Sequence, residues 1–320
     1  MNFTVFSFTA TLKLVMFVFL HDKQHDALRV ASIRALRSLK LLCYPAQLKR
    51  VLANKTYRQH LNMLNEHDPI FFLSHRAYLA RRLSTAQRIN SVINHYEYET
   101  EKFNDQYLNK LDDKGLYLWR SSFEGVTFDL RLAHGNDVLY AGASSIVLYQ
   151  NNERICVISF SIVQAVDLLT AMVIKKCAIG NNDNVLFITR KQPTSDYSYQ
   201  KVFNKAFDRT TPAHLCMGAL VGYGKTLGFQ HAIGISAASH PSLSAEHQHA
   251  LEAAYDHFWV SLNGEKLTSY GYLLNLPLKL TSLDDLDAKA RKRAIIRREH
   301  AYQVALCAEN ELKQYIRLID

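Results

Sequence analysis

Residues 126–163 read VTFDLRLAHGNDVLYAGASSIVLYQNNERICVISFSIV. Residues 126–131, 138–148 and 154–163 are rich in β-branched and aromatic side chains. Between them stand His134-Gly135-Asn136-Asp137 and Asn151-Asn152-Glu153, both made of turn formers. Runs of strand formers separated by short Asn- and Gly-containing turns pair with their neighbours, so this stretch reads as an antiparallel three-strand meander.

Toward the C-terminus the order becomes strand, helix, strand, helix, strand. Residues 165–177 read as helix, 180–184 as a turn and 185–189 as a short apolar strand. Thr211 and Pro212 supply an N-cap and a first-turn proline for a helix to about Leu227, with Gly228 as its stop. A buried strand over 232–237, a helix over 242–262 closed by Asn263-Gly264, and a strand over 268–276 ended by Pro277 follow. Residues 284–319 read as a long terminal helix. Toward the N-terminus the pattern is helical over 26–66 with breaks at Pro45 and Pro69, then over 74–82, then over 84–103 with Ser84 and Gln87 spaced as a capping box. The expected class is α+β: a mixed, mainly antiparallel sheet with flanking helices, in the order of an N-acyltransferase (GNAT)-like fold. Three regions are expected: a basic helical segment over 1–115, the α+β core over 116–283, and a basic helix over 284–320 packing on it.

Composition agrees with a folded body. The chain has 320 residues, 48% hydrophobic and 21% charged, which excludes disordered and collagen-like classes. The five cysteines stand far apart with no CxxC pair, so they read as free thiols and no cysteine-based metal site is expected. The net charge of +9 is concentrated at the ends. Residues 1–90 hold fourteen Lys and Arg against four Asp and Glu, and residues 289–320 hold eight against four. Such ends are either solvated helix faces or surfaces that attract an anionic membrane or an acidic envelope component. No RNP pattern, zinc-finger spacing or helix-turn-helix accompanies them, so nucleic acid is not an expected partner. Residues 3–20 are mostly apolar with Lys13 near the middle, and no basic residue precedes it. That run reads as a segment packing on the body, with a membrane-surface role as the alternative, and not as a cleaved signal.

Several motifs invite chemistry. Residues 218–226, GALVGYGKT, resemble a phosphate loop but have Ala219 where glycine is needed and fall inside a helix, whose amides are already used. Gly222 and Gly224 read instead as close helix-to-sheet packing. The histidines at 240, 247, 249 and 257 lack metal-ligand spacing, and no metal is expected. His240 follows an apolar strand, at the strand's carboxyl end where α/β ligands gather, and an imidazole can move a proton. Asp256 and Trp259 share a helix face, and Tyr255 adjoins them. The expected assignments are His240 as base, Asp256 as its orienter, and Tyr255, Trp259 and Gln192 near the substrate. Arg291, Arg293, Arg297 and Arg298 are the expected anion-binding set.

Taken in order, Asp68-Pro69, Tyr78-Leu79, Arg88-Ile89 and His95-Tyr96, then Gln192, Pro212, Gly228, His240, Tyr255-Asp256-x-Phe-Trp259, Gly264, Leu276-Pro277, Lys292-Arg293 and Arg297-Arg298 resemble the VirK/YbjX family of Gram-negative bacteria over roughly residues 30–310. The chain departs from that pattern at Pro193, where the family has glycine after the glutamine, and at Ala213-His214 and Gly222 and Gly224. The resemblance implies a virulence-associated protein of cell-envelope homeostasis. Its expected roles are surface display of outer-membrane virulence factors and resistance to cationic antimicrobial peptides, exerted from the cytoplasm or the inner face of the inner membrane. It also adds His95 and Tyr96 to the expected substrate-binding set. Two activities fit: acyltransferase-like chemistry with acyl-CoA or another acyl donor, or non-catalytic binding of an anionic lipid or acidic partner through the basic ends. The residues leave the oligomeric state open.

Overall fold

The computed structural model describes residues 39–58, 73, 78–112, 114–135, 142–177, 179–180, 183–194, 196–208, 210–267 and 271–317. The apolar run at 3–20, most of the helical pattern over 26–66, and Asp68-Pro69 lie outside the described residues. Helices α1 (Pro45–Ala53), α2 (Thr85–Lys102) and α3 (Asp105–Asp112) lead into strands β1 (Leu116–Phe123), β2 (Val126–His134), β3 (Ser144–Gln150) and β4 (Glu153–Gln164). Short helices α4 (Ala165–Leu168) and α5 (Ala171–Lys176) precede β5 (Asn184–Pro193), α6 (Tyr197–Ala206), α7 (Pro212–Thr226) and β6 (His231–Ile235). Helix α8 combines Gln248–Leu251, a π-turn at Glu252–Asp256 and His257–Ser261; β7 (Glu265–Lys266), β8 (Gly271–Asn275) and α9 (Ala288–Lys313) complete the order.

The eight strands form one sheet in the order β1-β2-β3-β4-β5-β6-β8-β7. Every neighbouring pair is antiparallel except β5 with β6. The expected α+β class therefore holds, with a mixed and mostly antiparallel sheet, flanking helices and a long C-terminal helix. Turn chemistry explains the hairpins. Glu124 and Gly125 between β1 and β2, and Asn151 and Asn152 between β3 and β4, all have positive φ, as two-residue hairpin turns that match strand twist require. Asn151 Oδ1 also accepts the Thr127 amide at 2.9 Å. Ser84 and Gln87 close the expected capping box on α2, and Thr211 caps α7.

The differences from the sequence reading have local causes. The helix expected over 165–177 breaks at Leu169 and Thr170 into two short pieces. The helix expected from Ser242 begins at Gln248, because turns occupy the chain after Pro241. Residues 78–84 form turns and extended chain, with Leu79 at φ 61°, where helix was expected. The terminal helix spans Ala288–Lys313, and Ile316 leaves it to bridge Phe103. Strand β1 and helix α6 were not anticipated.

One contiguous apolar cluster runs from Leu41 to Tyr315 and includes Phe128, Phe160, Tyr223 and Trp259. Helix α7 packs on β3, β4 and β5, and α9 packs along α7 and β1. A Cβ on Gly218 would lie 2.8 Å from the Ala301 carbonyl, and one on Gly222 would strike the Ala305 carbonyl. These two glycines thus serve close helix-to-helix contact rather than helix-to-sheet contact. Gly224 does face the sheet: a Cβ there would lie 3.3 Å from the Leu186 side chain of β5.

Candidate functional site

Strands β5 and β6 pair over only three residues, Leu186 with Ala232, Phe187 with Ile233 and Ile188 with Gly234. Beyond them β5 stays with β4, matching Arg190 to Ser159 and Lys191 to Ile158, while β6 stays with β8 through Ile235 and Gly271. The two strands therefore part into a wedge. At the parting point Ser159 pairs with Arg190 but Phe160 with Ile188, which leaves Thr189 as a bulged residue. Thr189 Oγ1 donates to the Ser159 carbonyl at 3.2 Å.

Tyr255, from α8, reaches into this wedge. Its hydroxyl accepts the Lys191 amide at 3.2 Å and donates to the Lys191 carbonyl at 3.3 Å. His240 Nε2 lies 3.0 Å from the same oxygen. The Ser242 amide donates to His240 Nδ1 at 3.2 Å. An amide can only donate, so Nδ1 is the acceptor nitrogen and the ring proton sits on Nε2, donated to Tyr255. The hydroxyl then has two donors and one acceptor, which saturates it. His240 is buried, and burial, helped by the neighbouring Arg190, pushes its pKa down to about 4. Burial raises the Tyr255 pKa, so its hydroxyl keeps its proton, and burial lowers that of Lys191.

Asp256 is not placed against His240. Its Oδ1 accepts the Ala237 amide at 2.8 Å, which fixes the turn Ala237–Ser239 just before the histidine, and it also bonds Tyr272. Trp259 donates Nε1 to the Ile235 carbonyl at 2.8 Å, and its ring covers Gly234, where a Cβ would lie 2.5 Å away. Tyr255, Asp256 and Trp259 thus all address the end of β6. The π-turn over Glu252–Asp256 makes this feasible, since its wider turn brings adjacent residues toward one face.

Of the other expected residues only Gln192 adjoins the wedge, and its side chain faces solvent. Gln192 is exposed near the end of β5, opposite Val157. His95 is fully buried; its Nδ1 accepts the Ile162 amide at 3.1 Å and Nε2 lies 3.2 Å from Ser144 Oγ. Ile162 is four residues along β4 from Ile158, the partner of Lys191, or roughly 13 Å at strand rise. Tyr96 packs edge-on against Tyr57 in the core, with ring centroids 5.1 Å apart. Of the four arginines, Arg291 donates to the Leu283 and Leu286 carbonyls and Arg298 to that of Thr281. Those two brace the loop before α9, leaving Arg293 and Arg297 free of backbone duty. Among the described residues no group of three or more His, Cys, Asp or Glu is placed to hold a metal ion.

Comparison with known proteins fixes the kinship. A family model described as "Protein of unknown function (DUF535)" matches residues 27–303. The chain belongs to the DUF535 family. DUF535 and VirK/YbjX denote one family, so the resemblance read from the residues points to the same place. No curated protein and no solved structure matches the chain. In this DUF535 chain two of the residues that carried the resemblance act together. Arg88 donates to the Tyr78 and Ala80 carbonyls at 3.2 and 3.3 Å, and the next residue, Arg81, gives its amide to the Ser239 carbonyl at 2.9 Å. The DUF535 N-terminal motif therefore braces the turn that carries His240. Lys191, Arg81 and the Thr189 bulge were missed in the sequence, because each acts through backbone bonds that no residue type announces.

Proposed function

We propose that this DUF535 protein serves cell-envelope homeostasis through an acyltransferase-like site at the β5–β6 wedge. The observation that carries the reading is the single parallel pair, β5 with β6, open beyond Ile188 where β5 bulges at Thr189 against β4. The strand order around it supports a GNAT-like scaffold. Lys191 there presents an amide and a carbonyl with no strand partner on the β6 side, which suits the amide-bearing arm of an acyl thioester. An acceptor amine attacks the thioester carbonyl; the C–N bond forms and the C–S bond breaks. His240 takes the amine proton on Nδ1 as the Ser242 bond opens and passes its Nε2 proton to Tyr255. The Tyr255 hydroxyl proton goes to the leaving thiolate. A relay of this kind never requires the imidazolium, which suits a histidine whose charged form is disfavoured. Asp256 acts as a positioning residue through the Ala237 turn. Family kinship supports a setting in antimicrobial-peptide resistance and surface display, at the inner face of the inner membrane or in the cytoplasm; among the described residues no helix is long and apolar enough to cross a membrane.

One observation favours a second reading. The Tyr255 hydroxyl already satisfies both Lys191 backbone groups, which fills the wedge. A non-catalytic protein that binds an anionic lipid or acidic partner through its basic ends would keep the scaffold in that closed state. Thermal unfolding with a series of acyl-CoA donors separates the two. Donor binding raises the melting temperature with saturating concentration dependence. No shift with any donor, together with salt-sensitive binding to anionic vesicles, selects the second reading.

A further inference from the structure

Beside the wedge, Lys191 and His214 both pack on the ring of Phe258. Lys191 Nζ stands 4.8 Å from the centre of the Phe258 ring. His214, in the first turn of α7, packs edge-on against the same ring with centroids 5.3 Å apart. Helices α7 and α9 run parallel: Gly218 abuts Ala301 and Gly222 abuts Ala305, each 83 residues on. The same offset sets Arg297 level with His214. The Thr210 hydroxyl, 2.8 Å from His300 Nδ1, pins the start of α7 to α9 at this end. Arg293 is exposed one turn before Arg297 on the same face of α9.

Among the described residues neither Lys191 nor Arg297 pairs with a carboxylate. Burial, with Arg297 and Lys191 nearby, pushes the His214 pKa down to about 4. Nδ1 of His214 is held by the Thr211 hydroxyl at 2.7 Å, while Nε2 makes no hydrogen bond. Lys191 and Arg297 thus both lie near His214, and two like charges held near one another are relieved when an anion sits between them. Arginine forks and lysine ammonium groups match phosphate oxygens, and the Phe258 ring gives an apolar floor.

We propose that Lys191, His214 and Arg297, with Arg293 one turn away, form a binding site for a phosphate-bearing anion at the shared end of α7 and α9. The site does not depend on acyl transfer. Its phosphate comes either from a soluble phosphate ester or diphosphate or from a phospholipid headgroup, and two probes tell these apart. Calorimetric titration of the full chain with inorganic pyrophosphate tests the first. Flotation with phosphatidylcholine vesicles, with and without phosphatidylglycerol, tests the second. Saturable pyrophosphate binding is expected, weakened about tenfold or more in Lys191→Met and in Arg297→Gln. Lys292→Gln, an exposed lysine elsewhere on α9, leaves it unchanged. If only phosphatidylglycerol vesicles bind, and the same two variants abolish that binding, the phosphate belongs to a lipid. Equal binding by wild type and both variants, with circular dichroism showing all folded, overturns the site, as does binding of neither probe. A phosphate-free thioester, S-acyl-N-acetylcysteamine, tests the wedge separately. Its use as a donor by a chain that binds neither pyrophosphate nor the phosphatidylglycerol vesicles would defeat the anion site and leave acyl transfer standing.

Discussion

Two buried histidines in this chain are built alike and sit in unlike places. Both accept a backbone amide on Nδ1, His95 from Ile162 and His240 from Ser242. Around His95 the neighbours are sealed. Ser144 lies on Nε2, and Glu99 stands beside it, accepting the Tyr107 and Tyr223 hydroxyls at 2.8 and 3.2 Å. That cluster lies where α2 covers the point at which β3 stops and β4 runs on, and its polar groups lock three helices to the sheet. Around His240 the hydrogen-bond circuit ends on Lys191, on a strand edge that β6 has left. Backbone groups already paired in a sheet cannot take a ligand, whereas an edge held only by one tyrosine hydroxyl can exchange it. The contrast assigns architecture to the first cluster and ligand exchange to the second.

The largest effect expected is at the sealed cluster. Glu99→Ala removes the acceptor from two buried hydroxyls, each worth roughly 1–3 kcal/mol, so chemical denaturation should show a loss of about 2–6 kcal/mol. Binding of a donor by the folded fraction should be unchanged; a selective loss of donor binding would break the division between the two regions. Next comes acid sensitivity at the wedge. The folded-state pKa of His240 lies below its unfolded value, so the unfolded chain binds the extra proton and stability falls as pH drops from about 6.5 toward 4. A shift of this size corresponds to about 3 kcal/mol. His240→Asn should remove about half of that acid-induced loss, because His214 is held equally low, and an unaltered limb would show the His240 ring to be less buried than described.

Tyr255→Phe should cost about 1–2 kcal/mol, because it frees the Lys191 backbone groups and His240 Nε2 together at a site that water can reach once the ring shifts. Donor affinity should hold or rise while acyl transfer falls at least about tenfold. Weaker donor affinity at full turnover would contradict the relay. Asp256→Asn keeps a carbonyl acceptor for the Ala237 amide, so less than about 1 kcal/mol of stability should be lost. A normal melting temperature with abolished transfer would move Asp256 from positioning into the chemistry.

The sequence exposes what depends on local residue type. Asn151-Asn152 announces a tight hairpin, Thr211-Pro212 a helix start, and Ser84 with Gln87 a capping box, and all three are present. Strand β1 escaped because the only apolar residues of its second half, Trp119 and Phe123, are separated by Arg120, Ser121 and Ser122, which leaves little period to read. Helix α6 escaped because its start, Asp196, looks like any turn residue until its side chain is seen accepting the Ser198 amide. At the site, Tyr255, Asp256 and Trp259 were legible as an aromatic group around one acid on a helix. Their partners were not, since Tyr255 bonds a backbone segment far away in sequence and Asp256 bonds the Ala237 amide instead of the imidazole. The separation of His95 from His240 depends on the sheet register, which residue types alone do not reveal.

Hydrogen exchange with and without a long-chain acyl-CoA tests the wedge most directly. Occupation of the parted strands predicts added protection at residues 189–192 on β5 and 235–240 after β6, with the Lys191 amide among the most affected. No change in those two segments, or protection centred on the basic helix α9 alone, would contradict the account.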